Sequence, residues 1–265
     1  MRPLPPFRRR AFSVVLQKMK EGLEPVTILR GPRQVGKTTL QEQMIEYLLN
    51  EGVSPKRILR VQFDEIPSFK GLAEPINSLT SWFENNVAPE SLNAVARKGE
   101  PAYIFLDEVQ NLQDWSTQVK FLVDHHSVRL LITGSSALRI ERGKDSLAGR
   151  VSEVEMGCLT IGEISEIRGW GELPAFLPTN NFASLTEQEF WNALSEHGIR
   201  YRELRDKAMK AFSEFGGYPR AHIGDSTWEE ISVYLNESII QRVIKHNLRL
   251  GKKGKKRDEV LLAFW

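Results

Sequence analysis

Residues 31–38 read Gly-Pro-Arg-Gln-Val-Gly-Lys-Thr, a complete G-x-x-x-x-G-K-[ST] pattern, and no other stretch constrains the fold as tightly. Upstream, Pro25-Val26-Thr27-Ile28-Leu29 is a short apolar, β-branched run that reads as a buried strand. Downstream, Leu40, Met44, Tyr47 and Leu48 recur at helical spacing until Gly52 supplies a stop. Strand, glycine-rich turn and helix in that order aim consecutive backbone N–H groups and a helix N-terminus at a polyphosphate. Gly31 and Gly36 let the backbone bend and approach the phosphates without a Cβ clash. Lys37 is placed to meet β- and γ-phosphate oxygens, and the Thr38 hydroxyl suits Mg²⁺. Pro32, Arg33, Gln34, Val35 and Thr39 complete the cofactor-binding segment.

A second element is Tyr103-Ile104-Phe105-Leu106-Asp107-Glu108, four apolar residues running into two carboxylates. A buried parallel strand there brings Asp107 out at its C-terminal edge, where open α/β sheets bind ligands. Asp107 then holds Mg²⁺, directly or through water, and Glu108 orients or deprotonates the water that attacks a terminal phosphate. A third element is Leu130-Leu131-Ile132-Thr133-Gly134-Ser135-Ser136. Its hydroxyl residues either sense the γ-phosphate or serve ordinary turn chemistry.

Around these motifs, further strands are expected at Arg57 to Asp64, Val128 to Thr133 and Val151 to Met156. Helices are expected at 7–23, from Leu79 to Ala96 with a break at Pro89, and around Trp115, Val119 and Leu122. Strands alternating with helices at this spacing predict an α/β fold, a parallel sheet between two helical layers. From about Ile164 the pattern turns helical, with Phe190 to Leu194, Tyr201 to Phe215 and Trp228 to Ile244 as candidates and a loop over 168–185. Trp82, Trp115, Trp191 and Trp228 fall at helical apolar spacing and are expected in the core.

A chain of 265 residues with 41% hydrophobic content can bury a substantial core, and its net charge of +2 demands no polyanionic partner. One cysteine, Cys158, excludes an internal disulfide; a small core residue and a cytoplasmic, reducing location are expected. The segment Ala11 to Leu16 is too short for a secretory signal, and no apolar run approaches membrane-spanning length. His125-His126 lacks companions at ligand spacing and is read as solvent-facing. Residues 242–257 carry eight Lys and Arg and no acid. They either contact a nucleic-acid backbone or form a solvated loop. The closing Val-Leu-Leu-Ala-Phe-Trp looks like the first turns of a helix in a further domain.

Taken together, GPRQVGKTTL, FLDEVQ, Trp115, ITGSSA, LAGR (147–150), LTIGEI (159–164) and GGYP (216–219) resemble the AAA-type ATPases of bacteria and archaea whose P-loop core precedes a C-terminal domain of unknown function. The resemblance covers roughly 8–165, and the GGYP region locally. It implies a three-layer P-loop core with sheet order 5-1-4-3-2, a catalytic glutamate beside Asp107, ATP rather than GTP, and a helical lid. It further implies a winged-helix segment and a nuclease-like domain, mostly beyond Trp265. Carried over, Lys37 and Thr38 match the phosphate-loop positions, Asp107 and Glu108 the acidic pair, and Ser135 the polar sensor, with Thr133 as the fallback. Arg150 in LAGR stands where a γ-phosphate arginine would act, on a neighbouring subunit or within its own; a surface arginine is the other reading. Arg220, after GGYP, is either a lid arginine reaching nucleotide or a surface residue.

The expected division is a P-loop core at 1–165, a helical lid at 166–247 and a basic linker opening a further domain at 248–265. The expected function is a Mg²⁺-dependent ATPase whose nucleotide state moves the lid or an effector. The alternatives are a DNA-binding ATPase and a small-molecule phosphotransferase. Expected partners are ATP and ADP, a second copy of the chain, a C-terminal effector domain or protein, and DNA along 242–257, with no membrane.

Overall fold

Five strands, β1 (Val26–Arg30), β2 (Ile58–Gln62), β3 (Ala102–Asp107), β4 (Val128–Gly134) and β5 (Val151–Glu155), form one sheet ordered β2-β3-β4-β1-β5. Every pairing is parallel, and read from its other edge this is the expected order 5-1-4-3-2. The computed structural model describes residues 3–64, 71–134, 145–176, 186–224 and 227–240. Ser135, the whole basic run 242–257 and the last segment 248–265 lie outside them, as does the second half of the expected loop 168–185.

Position in the sheet explains each strand's composition. The central strands are covered on both faces: β3 is buried at every residue and β4 at all but Arg129, so Ala102 to Leu106 and Leu130 to Ile132 read as continuous apolar runs. The edge strands β2 and β5 alternate instead, because one face of each is only partly covered. Helices α3 (Pro75–Asn86), α4 (Leu92–Arg97) and α5 (Trp115–His125) pack on one face. There Ile76, Phe83, Leu92, Trp115, Val119 and Leu122 meet Ile28, Ile104, Leu106, Leu130 and Ile132. Helices α1 (Ala11–Glu21) and α2 (Lys37–Asn50) contact the sheet as well. Since strand side chains alternate, the positions between those named, Leu29, Phe105, Asp107, Leu131 and Thr133, belong to the α2 face.

The chain divides into two compact units, Met1–Gly157 and Cys158–Trp265. The boundary falls before the expected 165/166, because α6 (Ile161–Ile167) packs against α8 (Arg202–Phe215), the helix that follows α7 (Gln188–Arg200), in the second unit. Thr160 and Glu163 close a capping box that starts α6, and Thr227 and Glu230 close another at α9 (Trp228–Leu235). Leu159 N–H donates to the Gly217 carbonyl at 2.7 Å, so GGYP clasps the segment leading into α6. His222 is buried behind it, accepting from Arg168 Nε at 2.9 Å and lying 2.7 Å from the Gly216 carbonyl. Burial, ahead of the other influences, pushes its imidazole below the ordinary value.

Two sequence expectations fail here. Trp115 is in the core, but Trp82, Trp191 and Trp228 are each about half exposed. On α3 the buried stripe is Ile76, Thr80 and Phe83, and Trp82 stands beside it; periodicity gives the spacing of a helix, not which side it buries. Cys158 is exposed rather than core. It lies against Tyr218, whose phenol is pushed up mainly by burial and then by that thiol.

Candidate active site

The phosphate loop leaves β1 at Arg30 and enters α2 at Lys37. Its glycines have separate reasons. A Cβ on Gly31 would lie 2.0 Å from the Met156 carbonyl oxygen, so any side chain there collides with backbone. Gly36 caps α2 in a left-handed conformation at φ 101°, a region glycine occupies freely. Gln34, at φ 63°, is also left-handed, and the turn is tight enough to hold a non-glycine residue there. Pro32 and Gln34 are exposed, Arg33 and Thr39 half-buried and Val35 fully buried, which anchors the loop at one point.

Lys37 is only 5% exposed, and its ammonium donates to the carbonyls of Gly31 (2.9 Å) and Pro32 (2.7 Å). Burial pushes its pKa down to about 8, opposed by the nearby charges of Glu108 and Asp107 and assisted by Arg33. The loop lysine and the acidic pair therefore feel one another's charge.

Thr38 supplies the direct link. Its hydroxyl donates to Asp107 Oδ2 at 2.7 Å, joining the first turn of α2 to the tip of β3. Asp107 is fully buried, and its other oxygen accepts from the Thr133 hydroxyl on β4. Strand alternation places both Asp107 and Thr133 on the α2 face, at the C-terminal edge of adjacent strands. Glu108 N–H donates back to Asp107 Oδ1 at 3.1 Å. Glu108 itself is left-handed at φ 53° and turns out of the strand, half-buried; the side-chain amide of Gln110 donates to its carboxylate. Such backbone strain clusters where function holds it in place.

The structure thus brings together Lys37, Thr38, Asp107, Glu108 and Thr133. It does not bring Arg150 to them within one chain. Arg150 precedes β5, and its carbonyl accepts from Val26 N–H at the start of β1, whereas the phosphate loop leaves the other end. Parallel strands of this length put about 15 Å between the two edges. The Arg150 guanidinium instead grips Asp124 on α5, with contacts of 2.6 and 3.1 Å. In this structure, then, Arg150 stands at the far edge of the sheet from the phosphate loop of its own chain. Arg220 is exposed in a short turn, Pro219–His222, of the second unit. Gln110 is a site residue that sequence reading passed over, although it stands two positions after Glu108. His125 is exposed and stacked on Phe121, whereas His126 is half-buried with Nδ1 4.0 Å from the Glu84 carboxylate, and no cluster of three or more His, Cys, Asp or Glu suited to a metal occurs among the described residues.

No helix among the described residues is long and apolar enough to cross a membrane. Residues 23–165, over half the chain, match the family model described as AAA domain. Among curated relatives, the uncharacterized protein MJ1637 of Methanocaldococcus jannaschii is 26% identical over 258 residues, covering 93% of this chain and 49% of the relative. An uncharacterized protein of Haemophilus influenzae is 24% identical over 231 residues, covering 86% of this chain and 48% of its own length. The chain thus spans about half the length of the curated relatives it matches. A solved structure titled the Walker-type ATPase PABY2304 of Pyrococcus abyssi is similar at 17% identity with a TM-score of 0.46, covering 100% of this chain and 79% of that one. With its parallel five-stranded sheet, phosphate loop and acidic strand end, the chain belongs to the AAA-domain family of P-loop ATPases.

Proposed function

We propose that this chain binds ATP with Mg²⁺ on its first unit, hydrolyses it, and uses the change in nucleotide state as a conformational switch. The observation that carries the reading is the 2.7 Å bond from Thr38 to Asp107, which joins the phosphate loop to the acidic strand end. A hydroxyl and a buried carboxylate in contact are hard oxygen donors of the kind Mg²⁺ takes alongside phosphate oxygens and waters, so the residues fit the ion. Thr38 and Asp107 would hold it, and when bound it supplies charge neutralisation on the β- and γ-phosphates.

The remaining roles belong to the chain. Lys37 releases its two loop carbonyls and turns its ammonium to the phosphates, exchanging neutral acceptors for anionic ones. Glu108 accepts a proton from, or orients, the attacking water, and the Gln110 amide fixes which way its carboxylate faces. Thr133 keeps Asp107 oriented and takes the fallback sensor position on β4; Ser135 remains the first candidate for that role. Arg150 serves a neighbouring subunit's γ-phosphate, and Arg220 remains the candidate lid arginine.

The test is ATP binding and turnover of the wild type beside two variants. Lys37→Ala should weaken binding sharply. Glu108→Gln should bind within a few-fold of wild type yet turn over roughly 100-fold more slowly or worse, as loss of a general base does. An unchanged rate in Glu108→Gln would falsify its assigned role, and absence of ATP binding by the wild type would remove the whole reading.

A further inference from the structure

The segment preceding α1 plays no part in the reading above, yet it is tied to the phosphate loop by buried polar contacts. The Gln43 side-chain amide, on α2 and 2% exposed, donates to the carbonyls of Pro5 (2.8 Å) and Phe7 (2.7 Å). Arg9 follows, 8% exposed, and its guanidinium divides between two carbonyls. Nη1 donates to Val35 O inside the phosphate loop at 2.5 Å, and Nη2 to Gly157 O at 2.9 Å. Gly157 is the last residue of the first unit.

The other end of the loop reaches the same place. Gly31 lies so close to the Met156 carbonyl that a Cβ would stand 2.0 Å from it, and Met156 N–H donates to Arg30 O at 2.8 Å. Both ends of residues 31–36 are thus braced on 156–157, one by direct backbone contact and one through Arg9.

We propose that Arg9 is a positioning residue that ties the phosphate loop to residues 156–157, so that the order of that segment follows triphosphate occupancy. The inference rests on reading 31–38 as the phosphate site. Val35 C=O and Gly36 N–H belong to one peptide group. A phosphate accepting from Gly36 N–H polarises that group and makes Val35 O a stronger acceptor for Arg9. The guanidinium is a planar fork with fixed donor directions, so a firmer bond at Val35 holds the second bond at Gly157 as well. Lysine has the charge without the fork. The chain passes from Gly157 directly into the second unit, so this is where a nucleotide signal leaves the first.

The experiment is amide exchange, read by mass spectrometry over 154–160 with and without ATP and Mg²⁺, beside ATP affinity. The proteins are wild type, Arg9→Met, Arg9→Lys and Gln43→Leu. In wild type, ATP should slow exchange at 156–159 roughly fivefold or more, the lower range of measured site-to-site coupling. Arg9→Met and Arg9→Lys should bind ATP within about tenfold of wild type yet show little slowing at 156–159. Gln43→Leu loosens the same segment but leaves Arg9, and should keep the slowing. The proposal is overturned if Arg9→Met retains the wild-type slowing, if wild type binds ATP without slowing, or if Gln43→Leu loses it as fully. Wild type failing to bind ATP appears in the affinity arm alone and sinks the parent reading together with this one. Should Arg9→Met not fold, Arg9→Lys carries the comparison.

Discussion

Lys37 shows what a binding site costs the empty protein. Its ammonium is buried, and burial lowers its pKa from 10.5 to about 8, a difference of about 3 kcal/mol at roughly 1.4 kcal/mol for each unit. The folded-state pKa lies below the unfolded one, so between about pH 8 and 10.5 the unfolded chain holds more protons. Stability of the nucleotide-free protein therefore rises with pH across that window, and the penalty is fully present below it. Lys37→Met keeps the stem and removes the charge. Without nucleotide it should melt a few degrees above wild type at pH 7, about 2–4 °C for each kcal/mol recovered at this size, and the gap should narrow toward pH 10.5. The two carbonyl bonds lost with the ammonium reduce the gain. Calorimetric melting across pH decides it, and a variant that melts lower than wild type at pH 7 would show the lysine to be net stabilising. The same substitution should abolish tight ATP binding, so stability and function pull against each other at one atom.

Among elements, burial rather than pattern separates what was legible from what was not. β1, the phosphate loop and α2 were readable because strand, turn and helix signals are consecutive, and β3 because four apolar residues end on Asp107 and Glu108. The pairing of Thr38 with Asp107 follows from topology, but the hand of Gln110 on Glu108 and the reach of Arg9 to Val35 and Gly157 do not. They depend on side chains meeting across the fold, for which one sequence carries no period. Trp82 failed for the same reason, since α3 turns Phe83 inward and Trp82 outward. The two residues offer a matched test at adjacent positions. Phe83 is 1% exposed beneath the sheet, so Phe83→Ala should cost about 3–5 kcal/mol in chemical denaturation. Trp82→Ala should cost about 1 kcal/mol or less, within the usual range for surface changes. A Trp82 cost equal to that of Phe83 would mean this face of α3 is covered in the protein. In the second unit, Thr160→Ala removes the side-chain half of the α6 capping box and should cost about 1 kcal/mol.

Across the whole molecule, Arg150 raises a question that geometry within one chain cannot answer by itself. It sits at the sheet edge away from the phosphate loop, paired with Asp124, and on the proposed reading it acts on a second copy. A head-to-tail assembly would bring that edge of one subunit to the loop of the next, the arrangement that closes into rings. Complementation follows from this. Arg150→Ala subunits keep an intact loop and acidic pair but supply no arginine, while Lys37→Ala subunits supply the arginine but bind no nucleotide. Each should be inactive alone. Mixed in equal amounts and allowed to exchange, half the sites can bind ATP and half of those face an arginine-bearing neighbour, so turnover should recover to about a quarter of wild type. The mixture should also lose that activity on dilution below the assembly constant, as a single-chain mechanism would not. Asp124→Asn sharpens the reading, because it weakens the hold on Arg150 without touching the nucleotide site. If Arg150 must leave Asp124 to act, this variant should turn over at least as fast as wild type at saturating protein concentration. If the mixture stays silent while Arg150→Ala alone hydrolyses ATP normally, Arg150 is a surface clasp joining β5 to α5 and the γ-phosphate must be met by another group.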